Sequence, residues 1–332
     1  MKFHPFLLRA ALASLTAGSI ASAQPVPGRG PVSRHGLLHV AGHRIVGADS
    51  QPASFAGNSF FWSQWQSQFY NAGTVNWLVK DWRSGIVRAA LGISPDGYLG
   101  HPEAETARIR AVVDAAIAAG IYVIIDWHDH HAEQHTDLAV AFFKEMARRY
   151  GHQPNVMYEI FNEPIKGLTW SRDVKPYAGK VIAAIRAIDP DNLIIVGTPN
   201  WAQDVDIAAA DPIKDTNVAY SLHFYAGTHK QSLRAKAVKA MELGAALFVT
   251  EWGTCSSNGN GKVDVQSTGE WMAFMREWQL SHCNWAVSDK RESASIVIPG
   301  ASPTGGWTDA DLTPSGRHVR ELIRNWSAHP GK

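Results

Sequence analysis

Two glutamates that end hydrophobic runs are the residues of this chain best suited to carry out chemistry. Glu163 ends the segment NVMYEIFNE (155–163), and Glu251 ends the segment ALFVTE (246–251). Runs of this kind are typical of buried parallel strands, so each carboxylate is predicted to lie at a strand end. Cleavage of a glycosidic bond requires two such groups, because one carboxylic acid protonates the leaving oxygen while a second carboxylate attacks the sugar or activates water.

The alternative is that both glutamates lie in surface loops without a chemical role. Their neighbours argue against this, since Asn162 precedes the first and Trp252 follows the second, and both residue types bind sugars well. A sugar-binding protein without catalysis would keep the aromatic residues but would not need both carboxylates at strand ends. The sequence therefore favours a catalytic site.

Further polar and aromatic side chains follow the other predicted strands. In a barrel of alternating strands and helices, the C-terminal strand ends meet in one cleft. Histidines there can hydrogen-bond sugar hydroxyls and tune carboxylates, and tryptophan offers a flat face for stacking. Each of these residues taken alone is often just packed in the core, but their joint placement favours a site. The residues expected in this cleft are Arg88, His128, Asn162, His223, Tyr225 and Trp285.

Chemical roles can be assigned to several of these groups. We expect Arg88 to lower the pKa of Glu251, and mutual repulsion and partial burial to raise the pKa of Glu163. Tyr225 is expected to donate a hydrogen bond to Glu251 and set its angle of attack. Asn162 is placed to bind the sugar 2-hydroxyl, an interaction that strengthens in the oxocarbenium-like transition state.

The rest of the chain contains eight strand-like runs with helical segments between them. Strands are predicted at 53–58, 86–91, 121–127, 156–162, 193–197, 217–223, 246–251 and 283–287, and helices at 103–119, 138–150, 177–188, 232–243 and 314–326. Gly120, directly after the first of these helices, is predicted to be its C-cap. A short hairpin beginning near Gly36 is expected to cover the bottom of the barrel. Eight strands alternating with helices predict an α/β fold, the (β/α)8 TIM barrel. An open doubly wound sheet is the alternative, but no glycine-rich fingerprint follows the first strand.

The first 34 residues are predicted to precede the folded domain. Lys2 and Arg9 supply positive charge, residues 10–20 form an apolar stretch, and Ala21-Ser22-Ala23 fits the small-residue cleavage rule, so residues 1–23 are predicted to be a signal peptide. A short amphipathic helix is the alternative. Residues 24–34 are expected to be a flexible lead-in to one catalytic domain over 35–328. We therefore expect secretion to the extracellular space or the periplasm.

Composition excludes several classes of partner. The 332 residues carry a formal net charge of +1, so we expect binding to neither nucleic acid nor an anionic membrane. The thirteen tryptophans are consistent with a sugar cleft, although core packing explains most of them equally well. Cys255 and Cys283, the only cysteines, are expected at different heights of the barrel and are predicted to be free, buried thiols.

The run His128-Asp129-His130-His131 raises a rival interpretation, a metal-dependent barrel hydrolase. Barrel amidohydrolases carry His-x-His on the first strand, whereas this run follows the third predicted strand. No further pair of acidic or lysine ligands occurs at the matching strand ends. Histidine runs in loops are commonly solvated or support other groups. We therefore expect neither a metal nor a cofactor.

The motifs around these residues resemble glycoside hydrolase family 5, and in particular its bacterial endo-β-1,4-glucanases. The resemblance extends from about Leu37 to Trp326 and rests on IVRAA (86–90), YVIIDWH (122–128), YEIFNEP (158–164), LHFYAGTH (222–229) and TEWGT (250–254). It implies a retaining mechanism with Glu163 as acid/base and Glu251 as nucleophile. It also implies a cleavage subsite lined by Arg88, His128, Asn162, His223, Tyr225 and Trp285.

The resemblance implies further contacts on either side of that subsite. Trp201, in TPNW (198–201), resembles the family's platform for the leaving group, and Lys290 and Glu292, in SDKRE (288–292), resemble residues that bind sugar on the non-reducing side. One departure concerns SFFW (59–62), where many relatives carry a histidine just after the first strand. Trp62 or Trp65 is expected to provide stacking there instead.

The resemblance thus implies a secreted endo-β-1,4-glucanase (cellulase) that hydrolyses internal bonds of a β-1,4-glucan, and we expect it to be a monomer. No linker is recognisable after residue 34, so an appended binding module is not expected and soluble or amorphous glucan is favoured over crystalline cellulose. Mannan, xylan and chitosan remain alternative substrates, because enzymes acting on them share the barrel and the carboxylate pair.

Overall fold

The barrel is the main feature of the computed structural model, which describes Met1 and residues 30–328. Apart from Met1, the predicted signal peptide lies outside the described residues, as do residues 24–29 of the lead-in. The parallel strands are β3 (Ala56–Phe60), β4 (Ile86–Gly92), β5 (Tyr122–His128), β6 (Val156–Glu159), β7 (Ile194–Val196), β8 (Val218–Tyr225), β9 (Leu247–Gly253) and β10 (His282–Val287). They pair in sequence order, and β10 pairs with β3 to close the sheet.

All eight strands match predicted runs, so the (β/α)8 barrel is confirmed. Most bounds differ from the prediction by one to three residues. The run predicted as a strand over 156–162 is wrong at its end, because the regular strand stops at Glu159. Beyond that point Ile160 and Phe161 both pack in the outer core, which breaks the two-residue alternation of a strand.

Helices alternate with the strands along the described chain. They are α1 (Pro31–His35), α2 (Ala72–Trp77), α3 (Pro102–Ala119), α4 (Thr136–Tyr150), α5 (Lys175–Arg186), the short turn α6 (Pro199–Ala202), α7 (Val205–Ala210), α8 (Gln231–Glu242), α9 (Val265–Glu277) and α10 (Pro314–Ala328). None of the helices in this part of the chain is both long enough and apolar enough to cross a bilayer. Gly120 ends α3 at a φ of +70°, where a glycine is favoured over other residues, as predicted for a C-cap.

A two-stranded hairpin closes the bottom of the barrel, as predicted. Its strands β1 (His39–Ala41) and β2 (Arg44–Val46) are antiparallel. Asn217, directly before β8, accepts a hydrogen bond from the Val40 amide (2.9 Å) and donates to the Leu38 carbonyl (3.1 Å). Because strands begin at the bottom of a barrel, these contacts seat the hairpin opposite the strand ends where a site is expected.

The end of the predicted lead-in folds differently from the prediction. Residues 31–34 were placed in the flexible lead-in, whereas they form most of the helix α1. Pro31 occupies the first helical turn, where its fixed φ suits a helix and its missing N–H costs nothing. Val32 packs against the lower core, and its amide bonds to the Gly120 carbonyl (3.3 Å), so this segment is part of the domain.

Alternation along the strands separates a packed lower interior from a polar upper end. On β5, Tyr122 and Ile124 belong to the lower interior core, whereas Trp127 belongs to the outer core under the helices. The same alternation brings Asp126 and His128, both buried, to the upper interior. A buried strand therefore delivers polar side chains only at its C-terminal end. Cys255 and Cys283 are both buried and free, which confirms the prediction for the thiols.

A buried histidine at the start of β10 makes folding sensitive to acid. His282 is fully buried, accepts a hydrogen bond from the Trp252 indole at Nδ1 (3.0 Å) and packs edge-on against Trp326. Burial, assisted by the charge of Arg276, lowers the pKa of His282 to about 3. Below about pH 6.5 the unfolded state therefore binds a proton at His282 that the folded state does not bind. The free energy of unfolding falls as the pH falls through that value.

We expect His282→Gln to reduce this acid sensitivity. Glutamine can still accept from the Trp252 indole but has no group that titrates. Between pH 7 and pH 5 the wild type should lose about 2 kcal/mol more of its free energy of unfolding than the variant. Urea unfolding of both proteins at the two pH values measures the difference. Equal losses in the two proteins would show that His282 is not the group responsible.

Candidate active site

Arg88 on β4 is the central charged group of the upper barrel. Its side chain has no exposed surface, so it supports the site from below rather than lining it. The guanidinium donates to the carboxamide oxygen of Asn162 (2.6 Å). It also lies within 3.1 Å of three carboxylates from other strands, those of Asp126, Glu159 and Glu251.

A β-bulge aims Glu251 into the barrel. In the β8–β9 pairing, Ser221 lies opposite Phe248 but His223 lies opposite Glu251, so β9 contains one extra residue. A bulge of this kind re-aims the side chains that follow it, so that Thr250 and Glu251 both face inward. One carboxylate oxygen of Glu251 accepts from Arg88 (3.1 Å), and the other accepts from the Tyr225 hydroxyl (2.8 Å). The predicted contacts of Glu251 with Arg88 and Tyr225 are thus both present.

Glu163 lies beyond the end of β6 and meets two histidines. Its amide donates to the Asp129 carbonyl (3.3 Å), which ties this segment to the loop after β5. Oε1 of Glu163 is 2.9 Å from Nδ1 of His223, and Oε2 is 3.4 Å from Nε2 of His130. One oxygen each of Glu163 and Glu251 and one ring nitrogen of His223 all lie within 4.8 Å of one another.

The pKa directions of the two glutamates are the reverse of those expected from the sequence. Burial and the charge of Glu163 raise the pKa of Glu251, and His223 and Arg88 only partly offset them. Burial opposes ionisation of Glu163 too, but hydrogen bonds from His130 and His223 outweigh it and hold its pKa low. The expectation was wrong because it placed no histidine against Glu163.

His223 is held in one orientation by residues that the sequence reasoning missed. Thr250 donates to Oε1 of Glu159 (2.6 Å), so its hydroxyl oxygen accepts from Nε2 of His223 (2.8 Å). Ser221 also donates to that Glu159 oxygen (2.8 Å). Burial raises the pKa of Glu159, but Arg88 and His223 together more than offset this and hold it at about 2. Glu159 lies in the motif YEIFNEP (158–164) and Thr250 in the motif TEWGT (250–254). Their two-residue spacing from the inward-facing strand residues before them was the signal that could have identified them.

Aromatic rings line one side of the carboxylates. Trp285 stacks against His128 (ring centres 5.0 Å apart, planes at 5°), and His128 bonds through Nδ1 to Asp126 (2.7 Å). Trp62 packs edge-on against the same histidine. The ring centre of the half-exposed Trp65 lies 5.0 Å from that of Trp62. The structure therefore groups Trp62 and Trp65 with Trp285 and His128, in an aromatic wall that ends at the surface.

The two carboxylates also line a cleft of about 410 Å³. Trp201 lines this cleft too, with 38% of its surface exposed. It lies in α6, where Asn200, Trp201 and Ala202 all have positive φ. The lining residues are Glu163, Asn200, Trp201, Gln203, His223, Tyr225, His229, Glu251 and Ser257.

Lys290 and Glu292 are not among the residues that line this cleft. They form an ion pair (2.6 Å) beside a separate cavity of about 610 Å³. The Lys290 ammonium lies 5.2 Å from the centre of the Phe61 ring, which in turn packs 5.0 Å from Trp285. The pair therefore sits one aromatic ring beyond Trp285.

The histidine run after β5 does not assemble as a metal-ligand set. Each ring faces a different acidic residue: His128 faces Asp126, His130 faces Glu163, and His131 faces Glu133. The metal-competent cluster found among the described residues is instead Glu163, His223 and Glu251. The geometry that motivated the amidohydrolase interpretation is therefore not formed by that run.

Comparison with known proteins identifies clear relatives. A family model described as cellulase (glycosyl hydrolase family 5) matches residues 46–291. Endoglucanase Z of Dickeya dadantii is 50% identical over 324 residues, covering 96% of this chain and 71% of the relative. An endoglucanase of Clostridium saccharobutylicum is 45% identical over 291 residues, covering 87% of this chain and 65% of the relative. The chain thus spans only about two thirds of the length of these relatives.

Solved structures agree with this comparison. The catalytic domain of an endoglucanase from Thermobifida fusca superposes with a TM-score of 0.85 at 34% identity, over 89% of this chain and 99% of that one. A structure from Cytophaga hutchinsonii gives a TM-score of 0.89 at 49% identity, over 90% of this chain and 98% of that one.

We expect Arg88→Met to destabilise the fold strongly. The substitution leaves three buried carboxylates without their shared cation, and breaking a buried ion pair on one side costs about 3–5 kcal/mol. The free energy of urea unfolding measures this loss. Arg110→Met is the matched control, because it breaks the partly exposed pair with Glu145 and should cost less than about 1 kcal/mol. Similar losses in both variants would contradict a central role for Arg88.

Proposed function

This chain belongs to glycosyl hydrolase family 5, the cellulase family, and from that membership and the geometry of its cleft we propose that it is an endo-β-1,4-glucanase that retains anomeric configuration. The observation that carries the proposal is the approach of Glu163 and Glu251, whose nearest oxygens lie within 4.8 Å. Retaining glycosidases place their two carboxyl groups about 5–5.5 Å apart, and inverting enzymes about 6.5–9.5 Å apart to admit a water. The short separation supports direct attack by a carboxylate.

In the first step Glu251 attacks the anomeric carbon and Glu163 protonates the leaving oxygen. A glycosyl ester forms on Glu251 as the bond to the leaving sugar breaks. Both oxygens of Glu251 face donors, Arg88 and Tyr225, and burial and the charge of Glu251 keep the pKa of Tyr225 well above its usual value. These donors stabilise a carboxylate, since a protonated Glu251 would have to give up one of them.

The proton for the leaving group is shared between Glu163 and His223. Thr250 accepts the Nε2–H of His223, so the atom of that ring facing Glu163 is Nδ1. Nδ1 is a hydrogen-bond acceptor when the ring is neutral and a donor when the ring is protonated. The contacts with Glu159 and Glu163 overcome burial and raise the pKa of His223 to about 9, so the proton rests there. Transfer along the 2.9 Å contact to Oε1 arms Glu163 as the acid.

In the second step a water attacks the ester and Glu163 takes its proton. Asn162 contributes in both steps: its oxygen is held by Arg88, and its buried amide nitrogen has no protein partner. A buried donor left unpaired is costly, and the sugar 2-hydroxyl would satisfy it. The Trp285 ring would support the sugar below this bond, with Trp201 on the leaving-group side and Lys290 with Glu292 on the other.

The substrate class and the location belong to the same proposal. The relatives are named endoglucanases, which supports a β-1,4-glucan substrate that runs through the open cleft past Trp201. Residues 1–23 have the sequence features of a signal peptide, which supports export.

Substitution of the two glutamates tests the mechanism. We expect Glu251→Ala to lower turnover below ~1% of wild type without unfolding the protein, because Arg88 keeps two other carboxylate partners. Glu163→Gln should lower kcat/KM about 10²–10⁴-fold on cello-oligosaccharides but far less on activated aryl cellobiosides, whose leaving groups need no acid in the first step. Proton NMR of the first product should show the β-anomer. An α-anomer, or activity retained by Glu251→Ala, would refute the double displacement.

Side-by-side hydrolysis of soluble polysaccharides tests the substrate class. We expect carboxymethyl-cellulose and mixed-linkage glucan to be cleaved at least ~10-fold faster than β-mannan or chitosan, because Asn162 reads the equatorial 2-hydroxyl of glucose, which those chains lack. Xylan keeps that hydroxyl but lacks the C6 hydroxymethyl group, so it reports on contacts away from Asn162. Reducing-end release measures the rates, and a falling viscosity at low conversion reports internal cleavage. Preference for mannan or chitosan would reassign the substrate while leaving the retaining mechanism in place.

A further inference from the structure

Glu163 is contacted on both carboxylate oxygens by histidines from different parts of the barrel. His223, on β8, is buried and faces Oε1 at 2.9 Å. His130, in the loop after β5, faces Oε2 at 3.4 Å with 41% of its side chain exposed. In the proposed mechanism His223 holds the catalytic proton, and no role is assigned to His130.

The loop around His130 is tied down, so this contact is built into the fold. Asp129 accepts at Oδ1 from the His131 amide (2.9 Å) and bonds through Oδ2 to Nδ1 of His135 (2.7 Å). Its carbonyl receives the Glu163 amide (3.3 Å), which holds loop and carboxylate together. The His130 ring packs edge-on against Trp62, with ring centres 5.6 Å apart.

The charges around His130 favour its protonated form. Burial alone would lower its pKa, but the contact with Glu163, with smaller effects of Glu251 and Asp129, raises it overall. A protonated His130 in turn stabilises the ionised form of Glu163. The other titratable groups that face Glu163 are His128 from β5, His223, Tyr225 and His229 from the β8 side, and Glu251 from β9.

We propose that His130 is a positioning residue for Glu163 and sets the pH above which the enzyme loses its catalytic proton. The inference rests on the proposed acid/base role of Glu163. A cation next to Glu163 makes that proton easier to lose, so His130 speeds donation to the leaving group but lowers the pH at which the acid form disappears. Removing His130 should therefore shift the alkaline limb of the kcat/KM profile to higher pH.

The test compares His130→Asn with His131→Asn. His131 is the matched control, since it is the next residue, is equally exposed (41%) and pairs with Glu133 instead of Glu163. With a soluble cello-oligosaccharide, kcat/KM is measured between about pH 4 and pH 10. For His130→Asn we expect the alkaline limb to shift to higher pH by at least about 0.5 pH units, with the maximal kcat/KM within about threefold of the wild-type value. The control should superpose on wild type.

Two further measurements make the outcome decisive. His130→Gln keeps a hydrogen-bond donor without a charge, and it should show the same shift. With an aryl cellobioside, whose leaving group needs no proton, the shift should be absent. A His130→Asn profile that superposes on wild type, or one lowered equally at every pH, overturns the inference. Glu163→Gln separates this result from the proposed function, because oligosaccharide hydrolysis by that variant at a rate close to wild type would overturn the acid/base role itself.

Discussion

A wholly buried arginine is the interaction on which the rest of the site depends. Removing a charge from water costs several kcal/mol, and the interior repays this only when partners are well placed. Arg88 meets that condition because its planar fork of donors faces carboxylates within 3.1 Å on three strands, and a lysine would present only a point charge. The orientation of Glu251 and Asn162 is therefore set by a side chain with no exposed surface.

Most of the barrel could be predicted because buried parallel strands leave a plain signal. Val, Ile and Phe runs bounded by helices gave all eight strands, and Gly120 marked a helix end. The same reasoning located Arg88 and Tyr225 correctly beside Glu251, because two-residue alternation along a regular strand determines which side chains point inward.

The parts that could not be predicted lie where that alternation breaks. The extra residue in β9 and the irregular path after Glu159 turn Glu251 and Glu163 inward, and no sequence pattern identifies either break. The approach of His130 to Glu163 also depends on loop geometry, because Asp129 holds the two segments together. The pKa directions followed from these contacts, so an expectation built on Arg88, mutual repulsion and partial burial was wrong for both glutamates.

The reversed pKa directions do not reverse the proposed roles, because the kind of neighbour matters more than the resting state. Glu251 is held by an arginine and a tyrosine, neither of which exchanges a proton near neutral pH, and this suits a carboxylate that must remain a nucleophile. Glu163 is held by two histidines, whose ordinary pKa lies in that range. An acid that must give up a proton and recover one in each cycle needs partners that can do the same. The two glutamates thus differ in chemistry because Glu251 faces donors that keep their protons, whereas Glu163 faces histidines that can gain and lose one.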